Sequence, residues 1–210
     1  MKLIKNGLLF SALLTSLAAR AQLPAPGTES WTHREFDDIN PSHYQWLTGD
    51  GGRVLQARCD NSASLYGVQR RIDLRDQPVL NWEWRVARVY DSIEERKKSG
   101  DDFPARVYAV IDGGLFIWRT RALNYVWSSS EDVGSDWPNP FRSQARMIVV
   151  SSGPPRNDQW LSVSRNVVSD FKRYLDMDID AIDGIAVMSD CDNAGGRTTA
   201  WFRNIRFSGK

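Results

Sequence analysis

Acidic side chains occur at two places where a loop meets an alternating segment. Asp101 and Asp102 stand directly before one such segment, and Asp190, Asp192 and Asn193 follow another near the C-terminus. At a junction of this kind, carboxylates can meet a cation or a sugar hydroxyl while staying in contact with water. These two stretches are therefore the first candidates for chemistry.

The C-terminal stretch has the composition of a calcium site. Calcium takes about six to eight oxygen ligands from carboxylates, amides and backbone carbonyls, and Asp190, Asp192 and Asn193 offer several. An EF-hand loop is excluded, because Trp201 stands where the bidentate glutamate would have to be. The alternative is that these short side chains cap turns by accepting backbone N–H bonds.

The two adjacent acids near position 100 cannot act as a pair on one substrate. Neighbouring residues in a strand point to opposite faces, so at most one of Asp101 and Asp102 serves a site directly. We expect Asp102 to lie on the same side as Arg106 and Tyr108, and to pair with Arg106 or Arg85 across strands.

A polar sheet face is predicted to carry the ligand-binding groups. Residues 80–86 alternate strictly, with leucine, tryptophan and valine on one side and Glu83 and Arg85 on the other. We expect Glu83 and Arg85 to share one face with Arg106 and Tyr108, where their hydrogen-bonding groups would surround a polar ligand.

Nine tryptophans are many for a chain of this size, and flat rings stack on sugar faces in carbohydrate-binding sandwiches. Trp82 and Trp84 fall on the predicted core side, so they are poor candidates. Trp118, Trp127 and Trp137 stand near loops or strand ends, and Trp127 is predicted to be the stacking platform. The alternative is that these rings seal the edges of the sandwich.

The pattern around these residues predicts an all-β protein. Short alternating segments separated by glycine- and proline-rich turns indicate a jelly-roll type antiparallel β-sandwich with one or two short peripheral helices. One helix is predicted at 166–175, with Asn166 as its cap, and a charged helical turn or loop at 92–99. Strands are predicted at 53–58, 66–74, 80–86, 106–111, 122–128, 146–151, 160–165, 184–189 and 198–207.

The N-terminus has the features of an export signal. Lys2 and Lys5 precede an apolar run at 8–19, and a small-x-small cleavage site follows, so residues 1–21 are predicted to be removed. The apolar run is too short to cross a bilayer. Residues 22–210 then form a single sandwich domain in the periplasm or outside the cell.

Charge argues against nucleic acid or an anionic membrane as the main partner. Removing residues 1–21 takes away Lys2, Lys5 and Arg20 but no acid, so the formal net charge falls from +1 to −2. An oxidising compartment would let Cys59 and Cys191 form a disulfide, with two separate buried thiols as the alternative.

The chain resembles the family of domain of unknown function 3047. The resemblance implies exported bacterial proteins of jelly-roll type with no assigned reaction. Cys191 and Ala194 stand where the family pattern has threonine, which leaves Asp190, Asp192 and Asn193 as the matching positions there. The residues that carry the resemblance lie at 82–86, 100–108, 123–128 and 187–193, running on to Trp201 and Phe202.

These observations favour an exported protein that binds a carbohydrate or a cell-envelope glycan through Glu83, Arg85, Asp102, Arg106, Tyr108 and Trp127. One alternative is a carbohydrate-active enzyme with Glu83 and Asp102 as acid and base. Another is an envelope protein-interaction module in which exposed tryptophans meet a partner. No cofactor is expected unless calcium has a structural role, and the oligomeric state stays open.

Overall fold

Two facing β-sheets make up the protein. A computed structural model describes residues 31–49, 52–114, 119–156 and 158–209, so the predicted export signal lies outside the described residues. The strands in chain order are β1 (Thr32–Glu35), β2 (His43–Gly49), β3 (Gly52–Asp60), β4 (Ser64–Asp73), β5 (Val79–Val86), β6 (Ala105–Ile111), β7 (Arg121–Ser128), β8 (Asp136–Pro138), β9 (Ala145–Ser152), β10 (Leu161–Asn166), β11 (Ala181–Met188) and β12 (Arg197–Ser208).

One sheet has seven of these strands, in the order β1-β4-β11-β6-β7-β9-β8, and the other has five, in the order β10-β5-β12-β3-β2. All neighbours pair antiparallel except β7 and β9, which are parallel. The predicted all-β sandwich is confirmed, with this one departure from a purely antiparallel arrangement.

Every predicted strand forms, within a few residues at each end. The strands that the sequence did not predict are β1, β2 and β8. Each is largely exposed or very short, so its alternation between buried and exposed positions is weak. Edge strands of this kind carry little hydrophobic signal.

Strict alternation in β5 builds the core between the sheets. Leu80, Trp82 and Trp84 are essentially inaccessible, and they meet residues of both sheets. The ring of Trp84 lies 6.3 Å from that of Phe202 in the same sheet and 5.9 Å from that of Trp127 in the opposite sheet. Burying rings of this size contributes more to the stability of a core than any other side chain does.

The predicted helix is confirmed as α1 (Val167–Leu175). The side chain of Asn166 accepts a hydrogen bond from the backbone N–H of Ser169, as expected for an N-cap. Val167 and Phe171 bury one face of the helix in the main core. The charged segment at 92–99 is mostly irregular, with only a 3₁₀ turn at Lys98–Gly100.

The disulfide between Cys59 and Cys191 is confirmed and joins residues 132 positions apart. It links β3 of the five-stranded sheet to the loop that leads from β11 of the seven-stranded sheet to β12.

None of the helices in the described part of the chain has the length and apolar character that a membrane span requires.

Candidate functional site

The four polar residues that were predicted to share one sheet face lie on two different faces. Glu83 and Arg85 belong to β5 in the five-stranded sheet, whereas Arg106 and Tyr108 belong to β6 in the seven-stranded sheet. In each strand the alternate residues fill the shared core, so the polar sets point to opposite outer surfaces. The prediction of a single polar face is therefore wrong.

Arg106 is held in a buried ion-pair network rather than offered to a ligand. It is 2% exposed, and its Nε donates to Oδ1 of Asp190 over 2.7 Å. A second donor reaches the other carboxylate oxygen of Asp190, and Asp101 lies 3.5 Å away. Asp190 and Asp101 are therefore the acidic partners of Arg106, and the predicted pair of Arg106 with Asp102 does not form. Tyr108 lies on the same side of β6 as Arg106 and is half-buried, with its hydroxyl 3.4 Å from the sulfur of Met188.

Asp102 orders a turn. Its fully buried carboxylate accepts bonds from the backbone N–H of Asn193 (3.1 Å) and of Ala194 (2.6 Å), and from the side-chain amide of Asn193 (3.1 Å). Three donors satisfy this buried charge and fix the loop that leads into β12. It has no ion pair with an arginine among the described residues.

Three carboxylates converge beside this turn. One oxygen each from Asp102, Asp190 and Asp192 lies within 4.8 Å of the others. Burial raises the pKa values of Asp190 and Asp192, because charge is costly away from water. Asn193, expected as a further ligand, turns its amide nitrogen toward Asp102. The arrangement brings together two of the three residues predicted to bind calcium and adds Asp102.

Trp127 is in the core and does not form a stacking platform. It is 2% exposed, and its indole N–H donates to the carbonyl of Gly153 over 2.9 Å. Trp137 is 5% exposed and packs in a smaller apolar cluster with Phe103. Trp118 lies outside the described residues. Both rings are therefore packing residues, Trp127 in the core between the sheets and Trp137 on the edge strand β8.

Partly exposed tryptophans lie instead on the outer face of the five-stranded sheet. Trp201 of β12 is paired with Arg85 of β5, and the guanidinium of Arg85 lies 4.3 Å from the Trp201 ring centroid. The ring centroid of Trp160 lies 5.4 Å from the guanidinium of Arg85 and 4.1 Å from that of Arg203. We call Trp160, Trp201, Arg85 and Arg203 the tryptophan–arginine surface.

Glu83 anchors the edge of this surface. It accepts bonds from Asn204 (2.8 Å) and from Arg203 (2.7 Å). The hydrogen bond from Asn204, assisted by the ion pair with Arg203, lowers the pKa of Glu83. A bulge in β12 after Arg203 and a left-handed backbone at Asn204 aim the Asn204 amide at the carboxylate. Glu83 therefore stays ionised and positions Arg203.

The sequence held a signal for this surface. Trp201 stands between the buried residues Ala200 and Phe202, so alternation in β12 places its ring on the outer face. The same reasoning applies to Trp160, which precedes β10. Neither was predicted as a platform. The prediction of Trp127 depended on its position near a strand end, which does not distinguish an outer ring from a core ring.

A groove of about 530 Å³ adjoins the tryptophan–arginine surface on the same sheet. It is lined by Arg58 and Cys59 of β3, Arg88 after β5, and Arg197 and Thr199 of β12. The register pairs Arg58 with Thr199 and Gln56 with Trp201, so the groove and the rings are neighbouring parts of one outer face.

A serine, a histidine and a carboxylate also line up, where β1 pairs with β4. Nε2 of His33 lies 2.7 Å from Oγ of Ser64, and Nδ1 lies 3.7 Å from Glu35. Ser64 is inaccessible, however, and its Oγ also accepts a bond from the backbone N–H of Ser42. A nucleophile needs access to its substrate, so this array joins β1 to β4 and has no catalytic geometry.

The predicted acid–base pair is not assembled either. Glu83 is paired with Arg203 in β12, whereas Asp102 binds residues 193 and 194, before β12 begins at Arg197. The loop that binds Asp102 reaches the level of Thr198, since Cys191 is bonded to Cys59 and Cys59 pairs with Thr198. Five strand positions, or about 17 Å, separate that level from Arg203. That is well beyond the roughly 5–10 Å between the carboxyl groups of glycosidases.

The fold and this surface define a β-sandwich with a polar, aromatic outer sheet face. The chain belongs to the family described as "Protein of unknown function (DUF3047)", whose model matches residues 29–206. The resemblance found in the sequence is thereby confirmed. No curated protein matches the chain.

Several solved structures are similar over most of their length. The xyloglucanase domain of NopAA, a type three effector from Sinorhizobium fredii, is 10% identical, with 93% of this chain and all of that chain covered and a TM-score of 0.46. A family 30 carbohydrate-binding module of a Clostridium thermocellum cellulosomal cellulase is 10% identical, with 91% and 92% covered and a TM-score of 0.43. A family 11 module from the same organism is 13% identical, with 90% and 95% covered and a TM-score of 0.41.

Proposed function

We propose that the protein binds a glycan on the outer face of its five-stranded sheet. The observation that carries the proposal is the tryptophan–arginine surface, on which the guanidinium of Arg85 lies 4.3 Å from the ring centroid of Trp201 and 5.4 Å from that of Trp160. Aromatic faces contact the apolar faces of sugars, and guanidinium N–H groups donate to their oxygens.

The geometry of the stack supports this role. A guanidinium that lies over an aromatic ring keeps its N–H donors in its own plane, so the contact with Trp201 does not itself occupy the donors of Arg85. The Nε of Arg85 is buried, so the terminal nitrogens are the donors that can meet a ligand. Its only ion-pair partner among the described residues is Asp158, 3.1 Å away and 83% exposed. Such an exposed partner can yield to a ligand at little cost.

Calorimetric titration with plant and bacterial-envelope polysaccharides tests the proposal. We expect binding that Trp160→Ala and Trp201→Ala each weaken about tenfold or more, as for aromatic residues at the centre of an interface. Phe141→Ala is the matched control, since Phe141 is an aromatic residue that is 52% exposed in the loop between β8 and β9. A folded protein that binds none of the polysaccharides would overturn the proposal.

The protein-interaction alternative uses the same rings, so it has its own readout. If the tryptophans meet a protein, a partner should co-purify with the wild-type chain and be lost from the Trp160→Ala/Trp201→Ala variant, while titrations with glycans remain flat. Binding of polysaccharide by the purified chain alone decides against it.

Export to the periplasm or beyond is the second part of the proposal. It rests on the basic, apolar and small-x-small segments of residues 1–21. Cell fractionation followed by N-terminal mass analysis should find a chain that begins at Gln22 outside the cytoplasm. Full-length chain confined to the cytoplasm would contradict it.

A further inference from the structure

The groove beside the tryptophan–arginine surface is rich in cations. Arg58, Arg88 and Arg197 line it, and Asp60 is its one carboxylate. Asp60 already forms an ion pair, since its Oδ1 lies 2.9 Å from Nε of Arg197. Two guanidinium groups therefore remain for the groove.

Neither of these two has an acidic partner within 4 Å among the described residues. Arg58 reaches only the ring nitrogen of His43, at 3.0 Å. Arg88 donates from its Nε to the carbonyl of Arg197, and its terminal nitrogens have no hydrogen-bond partner within the described part of the chain. Unpaired guanidiniums that flank a groove form a binding site for planar anions, because their donors match a carboxylate in a bidentate geometry.

The groove and the tryptophan–arginine surface are close enough for one ligand to contact both. Thr199, at the groove, precedes Trp201 by two residues in β12, a step of about 7 Å along the strand. A chain that lies across β12 at the rings can therefore place a charged substituent between Arg58 and Arg88. With Arg85, three guanidiniums face this path. The acid that pairs with Arg85 in the described part of the chain, Asp158, is exposed.

We propose that the glycan is acidic, a polysaccharide of uronic acids whose carboxylates pair with Arg58 and Arg88 while its sugar rings contact Trp160 and Trp201. This inference rests on the proposed function and adds the chemical class of its ligand. A single-stranded nucleic acid would also meet arginines and flat rings. It is the weaker fit, because strong nucleic-acid binding draws on about six to ten phosphate contacts, and the whole chain carries a formal net charge of only +1.

The test compares each acid with its neutral counterpart. Polygalacturonate, alginate and hyaluronan are titrated beside their carboxyl-reduced forms, which keep the backbone and lose the charge. We expect at least one acidic form to bind about tenfold or more tightly than its reduced form, as for a charge-assisted hydrogen-bonded pair. Its affinity should fall as the salt concentration rises.

Variants locate the effect. Arg58→Ala/Arg88→Ala should bring the acidic and reduced forms to similar affinities, because the acidic form then loses the charged pairs that distinguish it from the reduced form. Arg142→Ala, which removes an exposed arginine before β9, should change neither. Circular dichroism and melting temperature confirm that the variants are folded.

The outcomes separate the two proposals. Equal binding of the acidic and reduced forms would overturn the acidic class but leave glycan binding in place. An absence of binding to any polysaccharide would overturn both. Tighter binding of single-stranded DNA than of every polyuronate, lost in the Arg58→Ala/Arg88→Ala variant, would assign the groove to nucleic acid and overturn the inference.

Discussion

Two adjacent tryptophan and phenylalanine side chains in β12 have opposite roles. Phe202 is inaccessible in the core, and Trp201 lies partly exposed against Arg85. The core ring contributes through burial and packing. The outer ring contributes a cation–π contact worth about 0.5–1 kcal/mol at an exposed site. Position in the alternation thus places one ring in the core and its neighbour on the outer surface where binding is proposed.

Substitution of these neighbours should separate the two roles. Phe202→Ala is expected to lower the free energy of unfolding by about 3–5 kcal/mol, because it leaves a cavity in the core. Trp201→Ala should cost about 1 kcal/mol or less. Denaturant unfolding of both variants beside the wild type measures the difference. Equal losses would mean that Trp201 is a packing residue, and the case for an open binding surface would weaken.

Calcium at the three converging carboxylates stays a prediction of the sequence, and the geometry makes it testable. Asp102, Asp190 and Asp192 gather within 4.8 Å, and burial raises the pKa of Asp192. We expect added Ca²⁺ to raise the melting temperature near neutral pH. The shift should shrink as the pH falls through that raised pKa, because a proton then competes with the cation.

Asp192→Asn is the matched variant for this prediction, since it keeps the size of the side chain and removes one charge. It should abolish the shift caused by Ca²⁺, and a chelator should lower the melting temperature of the wild type alone. If Ca²⁺, chelator and variant leave the thermal unfolding unchanged, the carboxylates serve only to order the loop.

At the scale of elements, α1 shows how a local sequence signal becomes structure. Asn166 ends β10 and caps α1 through its bond to the N–H of Ser169. Inside the helix, Asp170 accepts two bonds from Arg165 and one from the hydroxyl of Tyr125 in β7. The cap starts the helix, and this buried group fastens the helix to both sheets.

Removing the cap should therefore weaken the helix without releasing it. Asn166→Ala is expected to lower the free energy of unfolding by about 1 kcal/mol, whereas Asn166→Asp should change it little, since aspartate is an equally good cap. Chemical denaturation measures both. A loss on Asn166→Asp as large as that on Asn166→Ala would show that the cap bond is not what the position contributes.

Local signals of this kind were enough to predict elements but not their assembly. Alternation predicted that Glu83 and Arg85 share one side of β5 and that Arg106 and Tyr108 share one side of β6. It holds no information on which sheet a strand joins. That choice depends on contacts between residues far apart in sequence, so the common face was wrong although every predicted strand forms.

The same limit explains the candidate site. Trp160 and Trp201 meet Arg85 only because β10, β5 and β12 are neighbours in one sheet, an order that no single segment encodes. The partner of Arg106 was mistaken for the same reason. Asp190 lies 84 positions away, and only the pairing of β6 with β11 brings the two together.

At the scale of the whole molecule, one end of the sandwich holds the disulfide, the buried ion pairs and the cationic groove. Cys191 lies between Asp190, which binds Arg106, and Asp192 of the carboxylate cluster. Its partner Cys59 lines the groove next to Arg58. The covalent link thus fixes the loop that carries the acids against the sheet that carries the proposed binding surface.

Loss of this link should affect both stability and binding. In the chain-entropy model, closing a loop of 132 residues stabilises the folded state by about 5 kcal/mol. Cys59→Ala/Cys191→Ala should therefore lower the free energy of unfolding by several kcal/mol and weaken the binding of an acidic glycan through Arg58. The double variant and the reduced wild type are compared by denaturant unfolding and by titration. Cys59→Ser/Cys191→Ser controls for the small cavity that alanine leaves. If the variant kept wild-type stability, the surrounding hydrogen bonds alone would hold the loop.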